Sequence, residues 1–204
     1  MKALLILALS CVLFACKQGP SAAAYVAEGN KGLNHKLPYR EALAAYNSAI
    51  DLKPDYAVAY AGRGQLDIKM HNFFGALNDF KKARSLDPKL TGLFYFIGFA
   101  KEQVGDHEGS QVAYTKAIEL EPKNAQAYAD RAFVRQILKD QNGALQDFNA
   151  AISIKPDSFP DVYLARGLLK IQKNDKSAGC ADLRQSLKLE PDSITRHYIE
   201  INCK

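Results

Sequence analysis

The hexapeptide GALNDF at residues 75–80 returns, with one letter changed, as GALQDF at residues 143–148. The copies begin 68 residues apart, which is twice 34. Other landmarks keep the same beat. Pro54, Pro88, Pro122 and Pro156 are spaced by 34 residues, and Pro191 follows after 35. A fixed period in this range is the mark of a repeat architecture. Aligned on its proline, each unit has a small residue twelve places earlier: Ala42, Ala76, Ser110, Ala144, Gly179. Eight places earlier stands a large one: Tyr46, Phe80, Tyr114, Phe148, Leu183. Five earlier it is small again, and two earlier aliphatic: Leu52, Leu86, Leu120, Ile154, Leu189. Steps of three and four trace one face of a helix. The proline then stops it, lacking an N–H and clashing with the preceding turn.

A second helix precedes this one in every unit. It opens on Tyr25, Tyr60, Phe94, Tyr128 or Tyr163 and carries Gly29, Gly64, Gly98, Ala132 or Gly167 four residues on. Glycine inside a helix costs about 1 kcal/mol against alanine. A glycine column therefore predicts close approach of another helix. Short polar turns ("MHN", "VGD", "LKD", "KND") join the two helices into a hairpin.

This pattern resembles the tetratricopeptide repeat. The resemblance covers five units, 22–56, 57–90, 91–124, 125–159 and 160–191, and is weakest in the first. It implies an all-α fold: an α-solenoid of five helical hairpins wound into a right-handed superhelix with a concave groove. A lone repeat cannot bury its apolar face, so a terminal cap is expected. Residues 192–204 read as that capping helix, with Ile194, Tyr198 and Ile201 at helical spacing.

Arginine and aspartate occur together. Arg63, Arg131 and Arg166 lie in first helices, and Asp79, Asp147 and Asp182 follow sixteen residues later in second helices. The third repeat has Ile97 and Ala113 at those places, and the first has Glu28 and Ala45. Equal distance from the turn sets each pair level on antiparallel helices, where guanidinium and carboxylate can meet two-pronged. One reading is an ion pair that fixes the hairpin's register. The other leaves the arginines free for a ligand carboxylate.

In the resembled family the first helices line the concave face. By that resemblance Tyr95, Phe96, Phe99, Phe133, Leu164 and Leu168 are candidates for a peptide groove. Helix-on-helix packing between repeats is the competing reading. Some members grip a C-terminal carboxylate with lysine, asparagine and arginine, but the matching places here hold Val26, Asn30, Gly62, Gly92 and Phe96. Only Asn30 fits.

The N-terminus carries a separate message. An uncharged apolar run from Ala3 to Ala15 follows Lys2. It is shorter than the roughly 20 residues of a membrane span and suits a secretory signal. "LFAC" at its end resembles the bacterial lipobox. By that resemblance residues 1–15 are a signal peptide and Cys16 is lipidated with palmitate-type acyl chains. Residues 16–21 then form a short tether. An ordinary signal peptide with a chance cysteine is the alternative. Lys17 is not the aspartate that in some bacteria retains lipoproteins at the inner membrane, which favours the outer one.

Cys180 and Cys203 remain. Cys180 replaces a leucine of the other repeats and faces the cap that Cys203 ends. In an exported chain they can bond; two buried free thiols are the alternative. The net charge of +5 is scattered, which argues against a nucleic-acid partner. The four histidines are isolated, and no phosphate loop or paired-cysteine zinc spacing occurs, so neither metal, cofactor nor small-molecule substrate is expected. The expectation is a lipid-anchored scaffold or adaptor of the bacterial cell envelope with a protein or peptide partner. A structural envelope component without a ligand, or an enzyme with an unrecognised site, is the alternative.

Overall fold

The computed structural model describes residues 19–204, so the signal peptide, Cys16 and Lys17 lie outside the described residues. Among these are eleven helices. Five hairpins pair α1 (Ala22–Leu33) with α2 (Tyr39–Leu52), α3 (Ala57–Lys69) with α4 (Phe73–Leu86), α5 (Leu93–Gln103) with α6 (His107–Leu120), α7 (Ala125–Ile137) with α8 (Gln141–Ile154), and α9 (Pro160–Gln172) with α10 (Lys176–Leu189). The last helix is α11 (Ser193–Asn202).

Each second helix ends just short of its proline, because the residue before proline is driven out of the α region. Lys53, Asp87, Lys155 and Glu190 have φ between −139° and −143°. The turns of the second to fifth hairpins share one device. His71, Gly105, Lys139 and Asn174 take positive φ. The next residue caps the second helix with its side chain: Asn72, Asp106, Asp140 and Asp175 accept the N–H of Gly75, Gly109, Gly143 and Ala178. Such caps are worth about 1 kcal/mol each. The glycine opening GALNDF and GALQDF sits beneath its cap, where a Cβ would collide with the Asn72 or Asp140 side chain.

The large residues of the second helices fill the hairpins. Tyr46, Phe80, Tyr114, Phe148 and Leu183 are all fully buried. They explain the glycine column: a Cβ on Gly64 would lie 2.7 Å from the Phe80 ring, and one on Gly98 2.6 Å from the Tyr114 ring. The apolar clusters do not respect repeat boundaries. One joins Ala61 of α3, Phe80 of α4 and Leu93 of α5. Another joins Ala132 of α7, Phe148 of α8 and Val162 of α9. First helices touch along the stack, α1 with α3, α3 with α5 and α5 with α7, and so form the inner face.

Two expectations about faces need correction. Leu52 and Leu120 belong to the predicted apolar column yet are 59% and 40% exposed. They stand in the last turn, where the chain is already leaving the hairpin. On α11 the buried side is Thr195, flanked by Tyr198 and Ile199, whereas Ile194 and Ile201 point outward at 62% and 57% exposure. That helix is steered from its two ends. Asp192 caps its start, accepting the Thr195 N–H at 2.7 Å. A Cys180–Cys203 disulfide ties its end to α10.

Gly98→Ala tests the close approach. In an open helix it would gain about 1 kcal/mol. Here the added methyl overpacks Tyr114, and urea denaturation should show a loss of about 1–3 kcal/mol. A stabilised variant would contradict the packing.

Candidate functional site

The inner face is a furrow over α1, α3 and α5. Two adjoining clefts of about 640 and 550 Å³ share Asn30, Leu33, Gln65 and Phe96 as walls. Tyr95 and Phe99 complete the first. The aromatic walls are braced from behind. Phe96 lies 6.3 Å from the Phe80 ring, Phe99 stands edge-on to Phe73 at 6.2 Å, and Tyr95 is edge-on to Phe96 at 5.4 Å. Asn30 is fixed by the Tyr46 hydroxyl, which donates to its Oδ1 at 2.6 Å. Burial pushes that phenol up to about 12, so it remains a donor at any physiological pH. Amides beside aromatic rings can meet a peptide's main chain and its apolar side chains together.

The six sequence candidates separate. Tyr95, Phe96 and Phe99 share one cleft. Phe133 packs edge-on against the buried Phe148 at 5.2 Å within its own hairpin, and so fills that hairpin's core and walls neither cleft. Leu164 and Leu168 are partly buried on α9 and wall neither cleft.

Towards α7 the face turns acidic. The Tyr95 hydroxyl donates to Asp130 Oδ2 at 3.0 Å, and the Gln126 amide donates to Oδ1 at 2.8 Å. Desolvation outweighs these bonds and pushes the Asp130 carboxyl up to about 6. Glu102, which accepts from the Tyr114 hydroxyl at 2.9 Å, is also raised by burial. Sequence reasoning missed Asp130. Its neighbour Arg131 drew attention, and nothing in the period marks an acid there.

The arginines are not free for a ligand. Arg131 donates through Nε and Nη2 to both oxygens of Asp147, at 2.8 and 2.7 Å. Arg63 and Arg166 hold Asp79 and Asp182 in the same two-pronged way. Hydrogen bonding to Asp79 raises the Arg63 guanidinium above its ordinary value. Each arginine has a third bond, invisible within a single repeat. The remaining Nη1 reaches back to the preceding hairpin: Arg63 to Asn47 Oδ1 at 2.7 Å, Arg131 to Thr115 Oγ1 at 2.9 Å, Arg166 to Asn149 Oδ1 at 2.7 Å. Each also lies over the opening tyrosine of its own helix, 5.4 to 5.7 Å from the rings of Tyr60, Tyr128 and Tyr163. The node therefore ties three helices and two repeats.

Comparison with known proteins agrees with this geometry. Models of the tetratricopeptide repeat match residues 91–124, 113–146 and 160–193. The chain carries tetratricopeptide repeats. It is 33% identical over 92 residues to small glutamine-rich tetratricopeptide repeat-containing protein 2 of Mycosarcoma maydis, and 33% over 91 residues to its namesake in Saccharomyces cerevisiae. The match takes in 45% of this chain and 26% of either relative, so the chain spans about a quarter of their length. Among solved structures, YrrB superposes with a TM-score of 0.74 at 20% identity, covering 90% of this chain and 94% of its own. PilF of Pseudomonas aeruginosa gives 0.73 at 16%, covering 84% and 78%. MamA of Desulfovibrio magneticus RS-1 gives 0.74 at 15%, covering 83% and 94%. These likenesses establish the repeat fold.

Two measurements probe the site. In a double-mutant cycle Arg131→Ala and Thr115→Ala should be non-additive by about 1–2 kcal/mol, because a hydrogen bond to a charged group is lost only once. Additive losses would show that the hairpins are not coupled there. For Asp130 the folded-state pKa lies above the unfolded one. Folding therefore takes up a proton between about pH 4 and 6, and the burden of the buried charge grows as pH rises through that window. Asp130→Asn should raise the melting temperature more at pH 7.5 than at pH 4.5, and equal shifts would contradict this.

Proposed function

We propose that this repeat protein is an adaptor that holds a peptide or helix of a partner protein in the cleft over α1, α3 and α5. One observation carries the reading. Tyr95, Phe96 and Phe99 present a braced aromatic wall beside the amides of Asn30 and Gln65 in a preformed open cleft. Aromatic side chains with few rotamers bind at low entropic cost, and a preformed site avoids the cost of ordering. YrrB, which shares the fold, is described as having an unusual peptide-binding site, and that supports the reading.

The proposal includes an anchor. Among the described residues no helix is long and apolar enough to cross a membrane. The lipobox-like "LFAC" before Lys17 would supply attachment through Cys16, with more than one acyl chain for stable anchorage. The adaptor would then work close to the bilayer of a bacterial envelope, the outer membrane by the reading of Lys17. The short tether reaches at most about 20 Å.

Crosslinking in intact cells tests both halves. The wild-type chain should stay with membranes and capture a defined partner. Phe99→Ala should lose that partner while remaining membrane-bound. Cys16→Ser should release the chain from membranes. Retention of the same partner by Phe99→Ala would remove the cleft from the proposal, and membrane retention of Cys16→Ser would remove the lipid.

A further inference from the structure

The seam between the second and third hairpins lacks the arginine node, and all three of its members are replaced. Ile97 stands at the place of Arg63, Arg131 and Arg166, and Ala113 at the place of Asp79, Asp147 and Asp182. The third member changes with them. Asn47, Lys81, Thr115 and Asn149 are 34 residues apart, so Lys81 takes the place of the residue that accepts the Nη1 proton elsewhere. The exchange removes a neutralised pair and puts an exposed lysine at the third place.

Where the node is missing the outer side of the stack opens. A cleft of about 980 Å³ lies over α5, between the end of α4 and the length of α6. Phe94, Ile97 and Ala113 line it, with Val112, 70% exposed, among its walls. Charge is unevenly spread around it. On the α6 wall Lys116 pairs with Glu119 at 2.8 Å, and at the far end of α5 Lys101 pairs with Asp106 at 2.6 Å, near Glu108. On the α4 wall the Arg84 guanidinium stacks over the Phe94 ring at 4.4 Å, and no described carboxylate lies within ion-pair distance of it. Lys81 is exposed one helical turn before it.

We propose that this cleft is a second docking site for a partner peptide in which a bulky apolar side chain neighbours an aspartate or glutamate. The apolar side chain would cover Ile97 and Ala113, the ground that a guanidinium occupies in the other seams. The carboxylate would meet Arg84, whose planar fork is already oriented by Phe94 and takes a carboxylate two-pronged. From Phe94 to Lys101 the floor rises about 10 Å, at 1.5 Å per residue. That accommodates about three residues of extended chain. Gln111 on the α6 wall offers both a donor and an acceptor to the peptide backbone. The site lies on the opposite side of α5 from the aromatic cleft and does not depend on it.

Methyl NMR on the full chain tests the assignment, with acetyl-Asp-Leu-Phe-amide as the probe. Saturable shifts are expected at Ile97 and Val112. Acetyl-Asn-Leu-Phe-amide, or Arg84→Gln with the original probe, should bind about tenfold more weakly. The triple variant Lys81→Asn/Ile97→Arg/Ala113→Asp copies the arrangement of Asn47, Arg63 and Asp79 and should abolish the shifts. Should that variant fail to fold, Arg84→Gln decides alone. Shifts confined to Leu33 and Ile68 of the inner face would overturn the proposal. So would equal affinity for the two peptides, or undiminished binding by a folded triple variant. Tighter binding of decanoate than of the peptide would overturn the choice of a peptide.

Discussion

The node at Arg131 is the constraint on which the stack's geometry depends. A guanidinium has fixed donor directions, and here all three nitrogens donate: Nε and Nη2 to Asp147 and Nη1 to Thr115. Its side chain is 10% exposed and that of Asp147 only 4%. A second arginine, Arg135, also donates to Asp147, at 2.9 Å. A pair this buried is weak evidence for stability, since desolvation offsets much of the attraction. Its effect is geometric. Removing Asp147 strands the buried Arg131, and removing Arg131 leaves Asp147 to Arg135 and breaks the bond to Thr115, so the hairpin register and the angle to the preceding hairpin are held together.

The apolar parts follow from that geometry. With Arg63 and Asp79 holding the second hairpin in register, Phe80 meets Gly64 without a Cβ between them; the third hairpin, which has no such pair, brings Tyr114 to Gly98 by packing alone. The second helices bury their rings, and the first helices are brought together along the inner face. The aromatic cleft results from that approach: Phe96 and Phe99 stand where they do because Phe80 and Phe73 support them. Where Ile97 replaces the arginine, the seam is packed by aromatic contacts instead, and the outer side gapes.

Much of this was legible in the sequence because each repeat is a register mark for the others. Helix type, helix ends and the buried ring column follow from periodicity against the prolines. The pairing of Arg131 with Asp147 follows from their joint presence in three repeats and joint absence in the first and third. The bond to Thr115 was missed because it crosses repeats, although the signal existed: Asn47, Thr115 and Asn149 precede the arginine-bearing repeats, and Lys81 precedes the third. Phe133 could not be separated from Phe99 by spacing, because both hold the same repeat position and only packing against Phe148 distinguishes them. The orientation of α11 escaped for a related reason. Its ends are held by Asp192 and by Cys203, so its apolar spacing does not choose the face it buries.

The central claim is that the arginine node couples neighbouring hairpins and that the stack is divided where it is absent. Repeat arrays open in units set by their interfaces, and native-state hydrogen exchange reads those units residue by residue. The account predicts that amides of α1 to α4 share one opening free energy and that amides of α5 to α10 share another, with the boundary between Ser85 and Phe94. A single opening free energy for all five hairpins, or a boundary at the Thr115–Arg131 seam, would contradict it.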